Sequence, residues 1–266
     1  MSVRAFSSGG GVQSTAALIL SAERVIDYPV HLFAHVGERA EDPRTLEWVD
    51  DVLISYAERH GIEFKVLRKI RRGGEPDDLR DLLDRSKRSL PIPVRMANGA
   101  PGTRNCTQDF KIAVVAKELK ARGATAESPA TVGLGITMDE IGRVRAPRDE
   151  RVSWQLRDYP LIDLNMRRSD CVALIRRAGL PDPPRSACIW CPFKSLPEWR
   201  RLKSERPDLF KDAVALEQML NERRASLGKD EVWLTRFARP LAGVVDDQMT
   251  LDVDSTDSCE SGYCMT

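Results

Sequence analysis

The chain has 266 residues, 42% of them hydrophobic, enough for one large α/β domain or one domain with a smaller appendage. Charged residues are plentiful but nearly cancel, to +1, which excludes a strong overall pull on nucleic acid and leaves a local basic patch open. The N-terminus runs straight into a glycine loop with no apolar signal region, and the longest apolar runs, such as Ala16 to Leu20, are far too short to span a membrane. A cytoplasmic protein with no membrane partner is therefore expected. Its six cysteines then read as metal ligands or reactive thiols rather than structural disulfides.

In chain order, Val3 to Phe6 predicts a first strand, and Ser7-Ser8-Gly9-Gly10-Gly11-Val12-Gln13-Ser14 follows it. Thr15 to Val25 predicts a helix, apolar nearly all round and so buried. Val30 to Ala34 is a second strand. Pro43 opens an amphipathic helix through His60, which Gly61 closes. Glu63 to Ile70 predicts a third strand, Asp77 to Lys87 a charged helix, and Ser89 to Arg104, rich in Pro and Gly, a loop. Gln108 to Arg122 is helical, and Ala130 to Ile136 is a further strand. Alternating strands and helices imply an α/β fold, a doubly wound and mostly parallel sheet with right-handed crossovers. After about residue 165 only helices are expected: Arg168 to Ala178, Leu196 to Lys203 and Pro207 to Leu227. The predicted division is an α/β domain over 1–165, a smaller helical region over 166–245, and a loose, polar tail over 246–266 that carries cysteines.

A glycine-rich turn from a first strand into a first helix exposes backbone N–H groups at the positive end of the helix dipole, a site for phosphate or sulfate. Ser7, Ser8, Ser14 and Thr15 add hydroxyls. The loop lacks the Gly-Lys-Ser/Thr of a P-loop and the Gly-x-Gly-x-x-Gly of a dinucleotide fold. Ser8 to Ser14 resembles instead the PP-loop of the adenine nucleotide α-hydrolase-like superfamily, and its Gln13-Ser14 ending is similar to the phosphoadenosine phosphosulfate (PAPS) reductase branch. Many ATP pyrophosphatases carry Asp where this chain has Gln13. Phe33-Ala34-His35-Val36-Gly37-Glu38, followed by Pro43-Arg44-Thr45, is similar to the family's Asp-Thr-Gly and Pro-x-Thr, which the resemblance places beside adenine and ribose. His35 is thus either a base or ribose contact or an ordinary strand-end histidine. Gly133 to Glu140 with Arg143 is similar to the family's Gly-x-Arg/Ser-x-Asp-Glu-x-x-Arg stretch. The resemblance makes Gly135 and Arg143 nucleotide-binding, with Asp139 and Glu140 as alternative helix caps.

Cys188-Ile189-Trp190-Cys191 is a C-x-x-C, which alone means zinc, redox chemistry or chance. With Cys106 upstream, the layout resembles sulfonucleotide reductases that carry an iron–sulfur cluster, although Asn105 stands where they have a second cysteine. Three cysteines, Cys106, Cys188 and Cys191, could hold a [4Fe–4S] cluster with one iron open, as in tRNA-thiolating relatives of the superfamily. Zinc is the less favoured metal, and free thiols are the remaining alternative. Arg104 and Lys111 flank Cys106. Lys111 is either a catalytic cation or a solvated helix lysine. Cys259 and Cys264 near the C-terminus are either sulfur-attacking thiols or exposed residues without a role, since the family's Glu-Cys-Gly-x-His is absent.

The resemblance implies an enzyme of sulfur metabolism that takes an adenine nucleotide. One form is a PAPS reductase-like oxidoreductase, with a thiol reductant as partner. Another is an ATP-dependent sulfur transferase acting on tRNA or DNA, with a sulfur-donor protein. A non-catalytic nucleotide-binding module is the third.

Overall fold

The computed structural model describes residues 2–144 and 154–247. Cys259 and Cys264 lie outside the described residues. So does most of the predicted tail.

Five strands form one sheet in the order β3-β2-β1-β4-β5, and every neighbouring pair is parallel. They are β1 (Arg4–Ser8), β2 (Val30–His35), β3 (Glu63–Arg68), β4 (Ala130–Leu134) and β5 (Gln155–Asp158). The chain is therefore an α/β protein of the expected class. Four strands fall where the apolar runs predict them. β5 is additional: it is an edge strand whose partly exposed Gln-Leu-Arg-Asp carries no apolar run to announce it.

α1 (Val12–Ala22) starts directly after Gly11, earlier than the predicted Thr15, and it is buried along almost its whole length. Two predicted helices are each interrupted by a wider turn. α2 (43–59) contains a π-helical stretch at Val49–Ile54, and α3 (105–121) contains one at Gln108–Ile112. The remaining long helices are α4 (Arg168–Arg177), α5 (Leu196–Glu205) and α6 (Pro207–Ala225), with short helices at Leu79–Arg85 and Leu241–Asp246. Arg80, Arg223 and the short Leu79–Arg85 helix knit these parts together: Arg80 pairs with Asp212 at 2.6 Å, and Arg223 donates to the Leu83 carbonyl at 2.7 Å.

One core packs α1 and α2 against Cys171, Leu174 and Ile175 of α4. A larger core joins Val36, Ala40, Leu79 and Phe110 to Trp190, Trp199, Leu216 and Val244, so the C-terminal helices are packed against the segments that leave the sheet. Among the described residues no helix is long and apolar enough to cross a membrane.

Candidate active site

The strand order places the site. β1 lies between β2 and β4, so the crossovers from β1 to β2 and from β3 to β4 leave the sheet on opposite sides. In open parallel sheets ligands bind in the crevice at the carboxyl ends of the strands at such a switch point. Ser7 pairs with Leu134 in register, so the loop after β1 and the turn after β4 open side by side.

The glycine loop is shaped by close approach. Gly10 has φ +74°, and a Cβ there would stand 3.2 Å from both Phe33 Cε2 and Thr45 Cγ2. Gly135, after β4, faces Gln13, and a Cβ on it would lie 3.2 Å from the Gln13 Cβ. The Ser14 hydroxyl accepts from the Gly9 N–H at 2.7 Å, and the Gly11 carbonyl accepts from Thr15 Oγ1 at 3.0 Å. The first N–H groups of α1 have no carbonyl of their own helix to meet.

Around this loop three buried hydroxyls have no hydrogen-bond partner: Ser8 Oγ at the end of β1, Thr45 Oγ1 on the side chain whose methyl packs against Gly10, and Thr137 Oγ1 after β4. Each such group costs about 1–3 kcal/mol unless a ligand or water satisfies it. Ser8 adjoins, and Thr45 packs against, the turn that the sequence marks as anion-binding. Ser7 and Gln13 are buried beside them.

His35 ends β2 and is buried. Its Nδ1 accepts the Gly37 N–H at 2.9 Å, which leaves the proton of the neutral ring on Nε2, 3.6 Å from Glu38. Burial, and then the nearby Arg68 guanidinium, hold its pKa below the usual histidine value, so it is neutral at pH 7. One ring nitrogen is thus already used to turn the strand end. Gly37 has φ +124°, and any Cβ there would collide with the Asp78 carboxylate. Both residues build the turn after β2. Arg143 is buried and pairs with Glu140 at 2.8 Å. Asp139 takes the capping alternative: its carboxylate accepts the Arg168 N–H at 2.6 Å, at the start of α4.

Cys106, Cys188 and Cys191 line one cavity, together with Arg104, Lys111 and Trp190. It is small, about 30 Å³. Cys106 begins α3, while Cys188 is held by an antiparallel bridge to Glu41 and by the Ile189 N–H bond to the Ala40 carbonyl at 2.8 Å. Glu41 is 2% exposed. Burial raises its pKa, partly offset by Lys111. Lys194 follows the C-x-x-C, and burial lowers its pKa against the opposing pull of Cys191. Cys171 is a core residue, fully buried in α4. Among the described residues no group of three His, Cys, Asp or Glu side chains stands in metal-holding geometry.

The glycine loop and the cysteine cavity are joined by a residue that sequence reasoning missed. The Ser186 hydroxyl donates to the Gly9 carbonyl, and a Cβ on Gly11 would lie 3.6 Å from the Ser186 Cβ. Cys188 is two residues further on, a reach of about 7 Å. Only proximity to the C-x-x-C could have singled out Ser186, and Trp190 lay inside that motif.

No family model matches the chain, and no curated protein matches it. Among solved structures it is similar to the U34-tRNA thiolase NcsA from Methanococcus maripaludis with its [4Fe-4S] cluster. The identity is 15% and the TM-score 0.41, covering 82% of this chain and 72% of that one.

Proposed function

We propose that the chain is an ATP-dependent sulfur transferase that thiolates a nucleic acid base. Its polyphosphate is held at Gly9 to Gly11 and its sulfur is handled at Cys106, Cys188 and Cys191. The observation that supports this reading is the Ser186 contact to Gly9, since Ser186 lies two residues before the C-x-x-C and Gly9 lies in the glycine turn. The choice of adenine rests on the resemblance of the glycine loop, and Gly135, Thr45, Gln13 and Arg143 are assigned with it. A PAPS reductase of the resembled family would carry its attacking thiol in a C-terminal Glu-Cys-Gly-x-His, which this chain lacks. The thiols built into the body of the fold favour the transferase.

In this reading the loop N–H groups and the hydroxyls of Ser8, Thr45 and Thr137 orient the phosphates. The acceptor's carbonyl oxygen attacks the α-phosphorus, and pyrophosphate leaves. A sulfur nucleophile then adds at the activated carbon, and AMP departs with the oxygen. Lys111 and Arg104 place positive charge beside the thiolates.

The donor set suits a [4Fe–4S] cluster, since three soft thiolates face one cavity with cations around it. Cys106, Cys188 and Cys191 would hold it only once the space between them widens, since as described they do not stand in metal-holding geometry and their cavity is about 30 Å³. Bound there, the cluster would supply an iron with an open site for sulfide.

The test is anaerobic protein with ATP, sulfide and tRNA or DNA. The expected products are pyrophosphate, AMP and a thiolated nucleoside, all lost in C188A. Thiol-dependent sulfite release from PAPS, without ATP turnover, would overturn the reading. Iron and sulfide analysis of the same protein checks the cluster.

A further inference from the structure

Glu198 uses its two carboxylate oxygens for different purposes. Oε2 accepts the Ser195 N–H and the Ser195 hydroxyl, each at 2.6 Å, which completes the capping box at the start of α5. Oε1 forms an ion pair with the Arg185 guanidinium. Both side chains are nearly buried, 14% exposed for Arg185 and 10% for Glu198. A capping box needs only one of the two oxygens. A buried ion pair is weak evidence for stability, and the best-attested use of such pairs is to fix one arrangement of the chain.

This pair joins the two sides of the C-x-x-C. On one side α5 is anchored, since Leu196, Trp199 and Leu202 are buried in the larger core. On the other side Arg185 immediately precedes Ser186, whose hydroxyl donates to the Gly9 carbonyl. The segment between them is fastened at its middle by the Ile189 N–H bond to the Ala40 carbonyl and by the bridge between Cys188 and Glu41. Glu198 closes its two ends.

We propose that Glu198 is a positioning residue that, through Arg185, holds the C-x-x-C segment in register with the glycine turn, so that a polyphosphate bound at the turn steadies Cys188. This rests on the proposed function and assigns the residue that couples its phosphate site to its thiols. Glu198 does not line the cysteine cavity, so its effect on the thiols passes through the segment it closes. An anion at the turn fixes Gly9, Gly9 holds Ser186, and the clasped segment then opens less often to expose the half-buried Cys188.

E198Q separates the clasp from the cap. Glutamine serves in a capping box, but it brings no charge to Arg185 and turns N–H donors or a neutral oxygen toward it. The full chain, free of iron, is alkylated with iodoacetamide with and without saturating pyrophosphate, and Cys188 is followed by mass spectrometry. Pyrophosphate should slow wild-type alkylation at least about fivefold, the lower end of ordinary coupling between sites. In E198Q pyrophosphate should still bind by calorimetry, at most about fivefold more weakly, while the slowing falls below about twofold. R185A should behave like E198Q, and the double variant no worse than either single one, because both remove the same link. R185Q replaces R185A if the latter does not fold. A merely stabilising Glu198 would shift the urea midpoint and leave the slowing intact. Full slowing in E198Q, additive losses in the double variant, or no slowing in wild type would overturn the proposal. If the slowing depends on Glu198 but no ATP-dependent thiolation occurs, the proposed function falls and the clasp stands. If thiolation occurs and the slowing ignores Glu198, only the clasp falls. Wild type that binds no pyrophosphate ends both.

Discussion

Replacing Gly10 by alanine separates two physical costs that the glycine loop avoids, and Gly61 provides the control. Both glycines have positive φ, +74° at Gly10 and +68° at Gly61. At Gly61 a new Cβ meets nothing within 4 Å, whereas at Gly10 it meets Phe33, Thr45 and Val49 at 3.2–3.3 Å. An L-residue in the left-handed region costs about 1–2 kcal/mol, offset by about 0.4–1 kcal/mol from the stiffer unfolded chain. Gly61→Ala should therefore lower stability by about 0.5–1 kcal/mol. The Gly10 neighbours are a buried ring and two buried branched side chains, which cannot swing away. Overpacking them adds about 1–3 kcal/mol, so Gly10→Ala should lose about 2–4 kcal/mol in urea unfolding. The same collision pushes the loop away from Thr45, so ATP binding by calorimetry should fall well beyond detection limits set by wild type. If Gly10→Ala is no worse than Gly61→Ala, or if it binds ATP like wild type, the close-packed loop is not the anion site.

Ser186→Ala removes one hydrogen bond to Gly9 and should lower stability by about 0.5–1.5 kcal/mol in urea unfolding and weaken ATP binding about fivefold by calorimetry; unchanged affinity would break the proposed link between loop and cavity. His31 is fully buried and held neutral by burial, its pKa pushed down to about 3 from 6.5. The unfolded chain therefore takes a proton that the folded chain refuses, and stability falls as pH drops from about 6.5 toward 3, by about 1.4 kcal/mol per pH unit. His31→Phe, which keeps a ring between Phe6 and Phe64, should flatten that slope in urea melts at pH 7, 6 and 5, and an unaltered slope would refute the assignment. Cys171 is buried and its thiol is pushed up to about 12 by burial, so native alkylation at pH 8 followed by mass spectrometry should spare it and modify the half-buried Cys106 and Cys188. Rapid labelling of Cys171 would contradict its place in the core.

Much of the sheet is legible because its inner strands are buried on both faces. Ala-Phe at β1 and Leu-Phe-Ala at β2 form short apolar runs that alternation cannot mimic. β5 escapes because it pairs only with β4 and leaves Leu156 half exposed, so the pattern of burial that writes a strand into sequence is missing. The π-helical stretches in α2 and α3 escape for a different reason: one extra residue in a turn shifts the buried face only slightly, and the apolar periodicity carries through it. α1 begins earlier than predicted because its cap is Gly11, which makes no side-chain hydrogen bond and so leaves no Ser, Thr, Asp or Asn to read.

At the site, the difference between what could and could not be read follows the length of chain that each feature needs. A glycine loop is a local device, and seven consecutive residues suffice to show it. His35 and Gly37 lie in a motif that marks the strand end, but their hydrogen bonds and close contacts go to the turn itself and to Asp78, which lies beyond β3. Ser186 is more distant still. Its partner Gly9 is 177 residues away in the chain, and the two meet because the chain after α4 runs back to the carboxyl end of β1. A small hydroxyl suits that crossing: it satisfies the Gly9 carbonyl while its Cβ stays in ordinary contact with Gly11. Moving the crossing by one residue would turn Ala187 toward Gly9 and leave that carbonyl without its donor. It would also carry Cys188 off its bridge with Glu41, so one register error would uncouple both halves of the site.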